Sequence, residues 1–174
     1  MANSNAEQVF EEKEKKRKSW QSLSSTMLKK LHLSRAPETI ECLDISNISG
    51  KQAVGSLVSF VRGEPAKNNF RHYKIRTVEG PNDYAMMEEV LKRRFQRGVE
   101  EDNLPDLFVV DGGKGQLGMA LSVADELGIR GDVDWIGIAK ERKDEGEKLY
   151  KPERKNPIIL PAHNPIILYL MRIR

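Results

Sequence analysis

Apolar residues change their spacing along this chain, and the change marks its parts. From Ala6 to about Lys30, Val9, Phe10, Trp20, Leu23, Met27 and Leu28 are scattered through a charge-dense, helix-forming background. That pattern predicts one amphipathic arm or two short helices, most simply a solvated linker helix. Pro37 ends helical character and the composition shifts at Thr39, so residues 1–38 are expected to form a helical arm and residues 39–174 a domain.

Three strand-like runs follow, TIECLDISNI, QAVGSLVSFVRG and NFRHYKIRTVE, separated by turn-rich SGKQ and GEPAKN. Such short connections imply an antiparallel meander. In the third run His72, Lys74 and Arg76 alternate with Arg71, Tyr73, Ile75 and Thr77, the pattern of an edge strand with one polar side. Asn82 then caps a helix to about Arg97, in which Tyr84, Met87, Val90, Leu91 and Phe95 recur at helical spacing. DLFVVD is continuously apolar up to its acid and predicts a fourth strand buried on both faces. A helix over about Gly115–Leu127, a fifth strand VDWIGIAKE, a basic loop, a short apolar piece PIILP and a last helix from near Asn164 complete the chain. Right-handed crossovers then favour a mixed α/β sheet of order 3-2-1-4-5, with the fourth strand beside the first and parallel to it.

Composition adds little to this picture. A length of 174 residues suits one domain with an appendage, and a net charge of +3 leans only mildly toward an anionic partner. The single cysteine, Cys42, lies in an apolar run; it excludes an internal disulfide framework and suits burial in a reducing compartment. The polar N-terminal segment is no signal peptide, and no apolar run reaches the ~20 residues of a membrane span, so a cytoplasmic protein is expected.

The chemistry concentrates where the sheet order brings two acids together. Asp44 in LDI and Asp111 in VVD each stand among apolar residues, where a carboxylate is costly unless paired, hydrogen-bonded or metal-bound. A hard cation, Mg²⁺ or Mn²⁺, prefers carboxylate oxygen plus substrate phosphate, and a pair of such ions ~3.5–4 Å apart supports in-line phosphoryl transfer. Two unrelated polar strand ends are the competing reading. The block DGGKGQ lacks the spacing of a nucleotide-phosphate loop. Its glycines permit a tight turn and close backbone approach, while Lys114 and the new helix's N–H groups suit a phosphodiester.

IECLDISNISGKQAVGSLVSF, NDYAMMEEVLKRRF, LPDLFVVDGGKGQL, IGIAKE and NPIILYLMRIR, in this order, resemble the endonuclease domain of the UvrC family of bacterial nucleotide excision repair. The resemblance covers most of the chain after about Leu31. It implies a ribonuclease H-like fold and metal-dependent cutting of damaged double-stranded DNA on the 5′ side of a lesion, with UvrB and, upstream, UvrA as partners.

By position, Asp44 and Asp111 match the family's two catalytic aspartates and its expected metal ligands. Asp83 matches one acid of a DDYA motif whose first acid is replaced here by Asn82, so it is read as a helix N-terminal charge and a possible secondary acid. The family's third member is a histidine in an RDEAHRFA motif, which would begin where this chain ends in MRIR. His163 occupies a different position. The resemblance therefore implies a middle fragment shortened at its last helix, and an alternative in which the chain is an inert DNA-binding or scaffold piece lacking its third ligand. Lys114, Gln116, Lys140 and Arg142 are candidate DNA-phosphate contacts, with Lys143, Lys148, Lys151, Arg154 and Lys155 as further basic residues of the same loops.

Overall fold

The computed structural model describes residues 2–48, 52–139 and 146–174. Its elements run α1 (Ala2–Lys30), β1 (Thr39–Ile48), β2 (Gln52–Val61), β3 (Glu64–Pro65), a 3-10 turn (Lys67–Asn69), β4 (Arg71–Lys74), α2 (Asp83–Glu100), β5 (Leu107–Asp111), α3 (Lys114–Glu126), β6 (Asp134–Ala139), β7 (Glu147–Tyr150), β8 (Ile158–Leu160) and α4 (Pro165–Ile173).

The strands form one mixed sheet of order β3-β2-β1-β5-β6-β7-β8, with β4 also pairing with β2. β1 and β2 are antiparallel, β1, β5 and β6 are parallel, and β7 and β8 return antiparallel. The expected order 3-2-1-4-5 is present as β4-β2-β1-β5-β6, and the sheet is larger than five strands. The basic segment expected as a loop contributes β7, and PIILP contributes β8.

The third strand is also shorter than its alternation predicts. β4 stops at Lys74 because α2 captures the chain: the Glu89 carboxylate accepts from the Arg76 and Thr77 N–H groups at 2.9 Å each and from the Thr77 hydroxyl at 2.7 Å. Those donors are thereby lost to the ladder.

Alternation along each strand sends side chains to opposite faces. Ile40, Cys42, Leu107, Val109, Ile136, Ile138 and Leu149 pack with Trp20, Met27 and Leu31 and with Ile166, Tyr169 and Leu170 of α4. Leu43, Leu57, Phe108, Val110 and Trp135 pack on the other side with Val90, Leu91 and Phe95 of α2 and Leu117 and Leu121 of α3. Phe95, Phe108 and Trp135 meet pairwise at 5.0–5.6 Å between ring centroids, contacts that add roughly 0.5–1.5 kcal/mol each beyond area burial.

α1 is one continuous helix. Residues 5–19 are exposed apart from half-buried Glu14, while Trp20 and Met27 sit in the α4-side core, Trp20 with its ring 5.1 Å from that of Tyr169. No described helix is long and apolar enough to cross a membrane.

Candidate active site at the carboxyl ends of the central strands

The register of β1 against β5 pairs Ile40 with Leu107 and Leu43 with Val110. One step further along both strands stand Asp44 and Asp111. By alternation they share the face of Ile40, Cys42, Leu107 and Val109, the face covered by α1 and α4. The expected juxtaposition of the two acids is therefore present, but the expected burial is not: Asp44 is exposed and the Asp111 side chain is 28% exposed. Asp44 reaches water, and Asp111 is part-exposed and paired with the residue that ends α4, so neither carries the full desolvation cost of an unpaired core acid.

Two further residues complete the surroundings of Asp111. Arg174 Nε lies 3.0 Å from Asp111 Oδ1, and its Nη1 lies 3.9 Å from Glu147 Oε2. The guanidinium is almost wholly buried between them. At 3.9 Å the second contact is an ion pair and not a hydrogen bond, and Glu147 Oε2 is a buried acceptor without a hydrogen-bond donor. Sequence reading missed both residues; the alternation in EKLY was the one local signal for a strand carrying Glu147 to this face. Cys42, one step inside Asp44, reports the same field. Burial, followed by the charges of Asp111 and Asp44, pushes its thiol up to about 12, against the opposing charge of Arg174. It is inert packing at neutral pH.

The turn after Asp111 needs its glycines for space. The Gly112 N–H donates to Ile138 O at 2.9 Å. A Cβ on Gly137 would stand 2.8 Å from Gly112 O, and one on Gly112 would run into the Gln116 side chain at 2.6 Å. Gln116 Oε1 accepts from the Gly113 N–H at 3.2 Å, so it braces the start of α3. Lys114 Nζ donates to Lys155 O at 2.7 Å, tying that turn to the loop between β7 and β8.

Asn82 is the N-cap of α2, its side chain accepting from Ala85 N at 3.1 Å, and Asp83 is an exposed acid in the first helical turn. Asp83 opens α2, whose buried residues pack on the other face of the sheet, while the next residue, Tyr84, reaches Gly115 in the first turn of α3. Lys140, Arg142 and Lys143 lie outside the described residues. Lys151 donates to His32 O, and burial lowers its pKa, so it serves as a tie between the end of α1 and β7. His32 and His163 are exposed on loops. Among the described residues no three His, Cys, Asp or Glu side chains are grouped closely enough to hold a metal ion together.

A polar row crosses the sheet beside the acids. Asp44 is in register with Ser56 of β2, and Ser56 with His72 of β4, so the three share one face and one level. Ser56 Oγ and His72 Nδ1 are 3.3 Å apart. Alternation within NFRHYKI had already put His72 and Lys74 together; only the register aligns them with Asp44.

Comparison with known proteins places the chain in a family. The model of the UvrC RNase H endonuclease domain matches residues 28–174. The chain is 72% identical over its whole length to UvrABC system protein C of Desulfotalea psychrophila, and 42% identical over 184 aligned positions to that of Syntrophotalea carbinolica. It spans 29% and 30% of those two proteins, under a third of each. Among solved structures, Ciona intestinalis endonuclease V in complex with inosine-containing DNA superposes with a TM-score of 0.44 at 16% identity, over 80% of this chain and 60% of that one. Bacillus subtilis endonuclease V superposes with a TM-score of 0.38 at 15% identity, over 83% and 75%.

Proposed function

Because the chain belongs to the UvrC RNase H endonuclease domain family, we propose that it hydrolyses a DNA phosphodiester on the 5′ side of a lesion, with a divalent cation held by Asp44 and Asp111. The observation that carries this reading is the placement of the two acids one step beyond the Leu43–Val110 pair, on one face, open to solvent. Their donor set fits Mg²⁺ or Mn²⁺: hard carboxylate oxygens on neighbouring strands, with room for water and phosphate. When bound, such a cation supplies a nucleophile from water at neutral pH and stabilises charge on the phosphate.

The chain's own residues do the rest. Asp44 and Asp111 fix the cation against the rigid sheet, and Arg174 must leave Asp111 Oδ1 for that carboxylate to bind it fully. The Gly112–Gly113 turn lets a phosphate approach closely, and the first N–H groups of α3 face it. Lys114 supplies positive charge beside that turn, Gln116 holds the turn's shape, and Lys140 and Arg142, outside the described residues, remain proposed phosphate contacts. Asp83 has a helix-terminal role. Partners in this reading are damaged duplex DNA, UvrB and, upstream, UvrA, in the cytoplasm.

Nicking of plasmid and lesion-bearing duplex in Mg²⁺ or Mn²⁺ tests the proposal, for this chain and for one extended by the family's histidine motif. Incision by the extended chain, lost in Asp111→Asn with the fold retained, is the expected result. An extended chain that neither nicks nor restores incision in the reconstituted repair reaction would falsify it. The contact of Arg174 with Asp111 favours a second reading, in which the chain is a DNA-binding or scaffold piece that does not cut; duplex binding without incision by either chain would support that.

A further inference from the structure

The face that carries Asp44 and Asp111 is covered over only part of its area. Helices α1 and α4 cover it as far as Cys42 on β1 and Phe60 on β2, with Val58 packed at the margin. Beyond that level Asp44, Ser46, Val54, Ser56, His72 and Lys74 stand outside both core clusters, each exposed or half-buried. Two rows are defined by register: Asp44, Ser56 and His72 in one, Ser46, Val54 and Lys74 in the next. β4 pairs with β2 alone and forms the sheet edge there, so nothing in the sheet closes the far end of this surface.

We propose that this open part of the face is a track for the phosphodiester backbone of the bound DNA, leading from Asp44 to the edge strand β4, with Ser56, His72 and Lys74 as its phosphate contacts. The inference rests on the nuclease reading and adds to it a direction for the strand and three residues. The floor is made of short side chains, serines and a valine, which permit close approach of a sugar-phosphate chain.

Donors stand where the floor ends. The Ser56 hydroxyl lies against His72 Nδ1 at 3.3 Å. With Ser56 donating, the imidazole carries its proton on Nε2, directed away from Ser56 as a donor for a phosphate oxygen. Lys74, exposed and in the adjacent row, adds a full positive charge.

From Asp44 to His72 is two strand spacings, roughly 10 Å. A phosphate at His72 therefore belongs to a different nucleotide from the one at the carboxylates, and the contact orients the strand as well as holding it. A protein partner fits this surface less well, because Val54 is the one apolar side chain among the six.

The test is the salt dependence of binding to a labelled DNA duplex, read by fluorescence anisotropy with the 174-residue chain. Each phosphate neutralised contributes about 0.9 to the slope of log K against log salt. Lys74→Ala is expected to reduce the slope by about 1, and Lys74→Arg to retain it. His72→Lys puts a permanent charge at the same place and is expected to raise it by about 1. Lys30→Ala, in the last turn of α1 and so at the opposite end of the sheet, leaves it unchanged. Thermal unfolding verifies that each variant is folded. An unchanged slope in Lys74→Ala or in His72→Lys, with the unsubstituted chain binding DNA, overturns the track and leaves the nuclease reading standing. Failure of the unsubstituted chain to bind the duplex also overturns the track, while the nuclease reading is decided separately by incision with the extended chain.

Discussion

Arg174 holds Asp111: its Nε lies 3.0 Å from Oδ1, and a guanidinium already present at a carboxylate competes with any cation that the carboxylate is to bind. Removing it in Arg174→Ala is expected to tighten Mn²⁺ binding by roughly 5–10-fold, about 1–1.4 kcal/mol, in titration calorimetry. Unchanged or weaker binding would show that the arginine is not a competitor.

Glu41 and Arg94 make a buried ion pair on the α2 side, with Nε and Nη2 donating to the two carboxylate oxygens at 2.8 and 2.7 Å. Arg94 Nη1 and Nη2 also donate to Asn103, at 3.1 and 2.8 Å. Burial, opposed by Arg94, raises the Glu41 pKa, which shows the carboxylate's dependence on its partner. Arg94→Ala leaves that acid buried and unpaired and should cost about 3–5 kcal/mol in urea unfolding, whereas the double replacement Glu41→Leu with Arg94→Met should recover most of the loss. A double variant no more stable than the single one would count against this.

Glu89 ties α2 to the chain leaving β4. Partial burial opposes its ionisation, but the Thr77 hydroxyl and N–H, the Arg76 N–H and the charge of Arg93 outweigh it and lower its pKa. A lowered carboxylate pKa gives stability that is present above the ordinary value near ~4.3 and lost as pH falls through the lower folded value. Glu89→Gln should therefore destabilise the protein at pH 7, with the gap to the unsubstituted chain closing in acid. Unfolding midpoints across pH 3–7, taken as a rough range around that value, measure it; a gap independent of pH would exclude the carboxylate's charge as the cause.

Gly137 is opposite the turn that follows Asp111. The backbone carbonyl of Gly112 would lie 2.8 Å from an added Cβ, and backbone yields less readily than a side-chain tip. Gly137→Ala should cost about 1–3 kcal/mol. Any nicking should fall further than stability accounts for, because Gly112 adjoins Asp111. Kinetics measured well below the variant's melting temperature separate the two effects.

Much of this arrangement was legible along the chain. Strand-forming runs bounded by turn residues located β1 and β2, alternation marked β4, the apolar run LFVV marked the doubly buried β5, and right-handed crossovers left one simple order for the five central strands. Asp44 and Asp111 stood out because an acid in an apolar run is conspicuous without any knowledge of its neighbours. These are local properties, set by backbone geometry and by the cost of desolvating charge.

What only the tertiary structure decided depends on residues far apart in the chain. Whether an acid at a strand end is exposed, as Asp44 is, or half-covered and paired, as Asp111 is, depends on what distant elements bring to it, and no window of sequence states that. β4 ends early because Glu89 takes the N–H groups of Arg76 and Thr77, which overrides an alternation that would have carried the strand on. The row Asp44, Ser56 and His72 is a matter of register, and the approach of Arg174 to Asp111 and Glu147 spans much of the domain. Periodicity assigns a side chain to a face; only packing decides whether that face is covered and what meets it there.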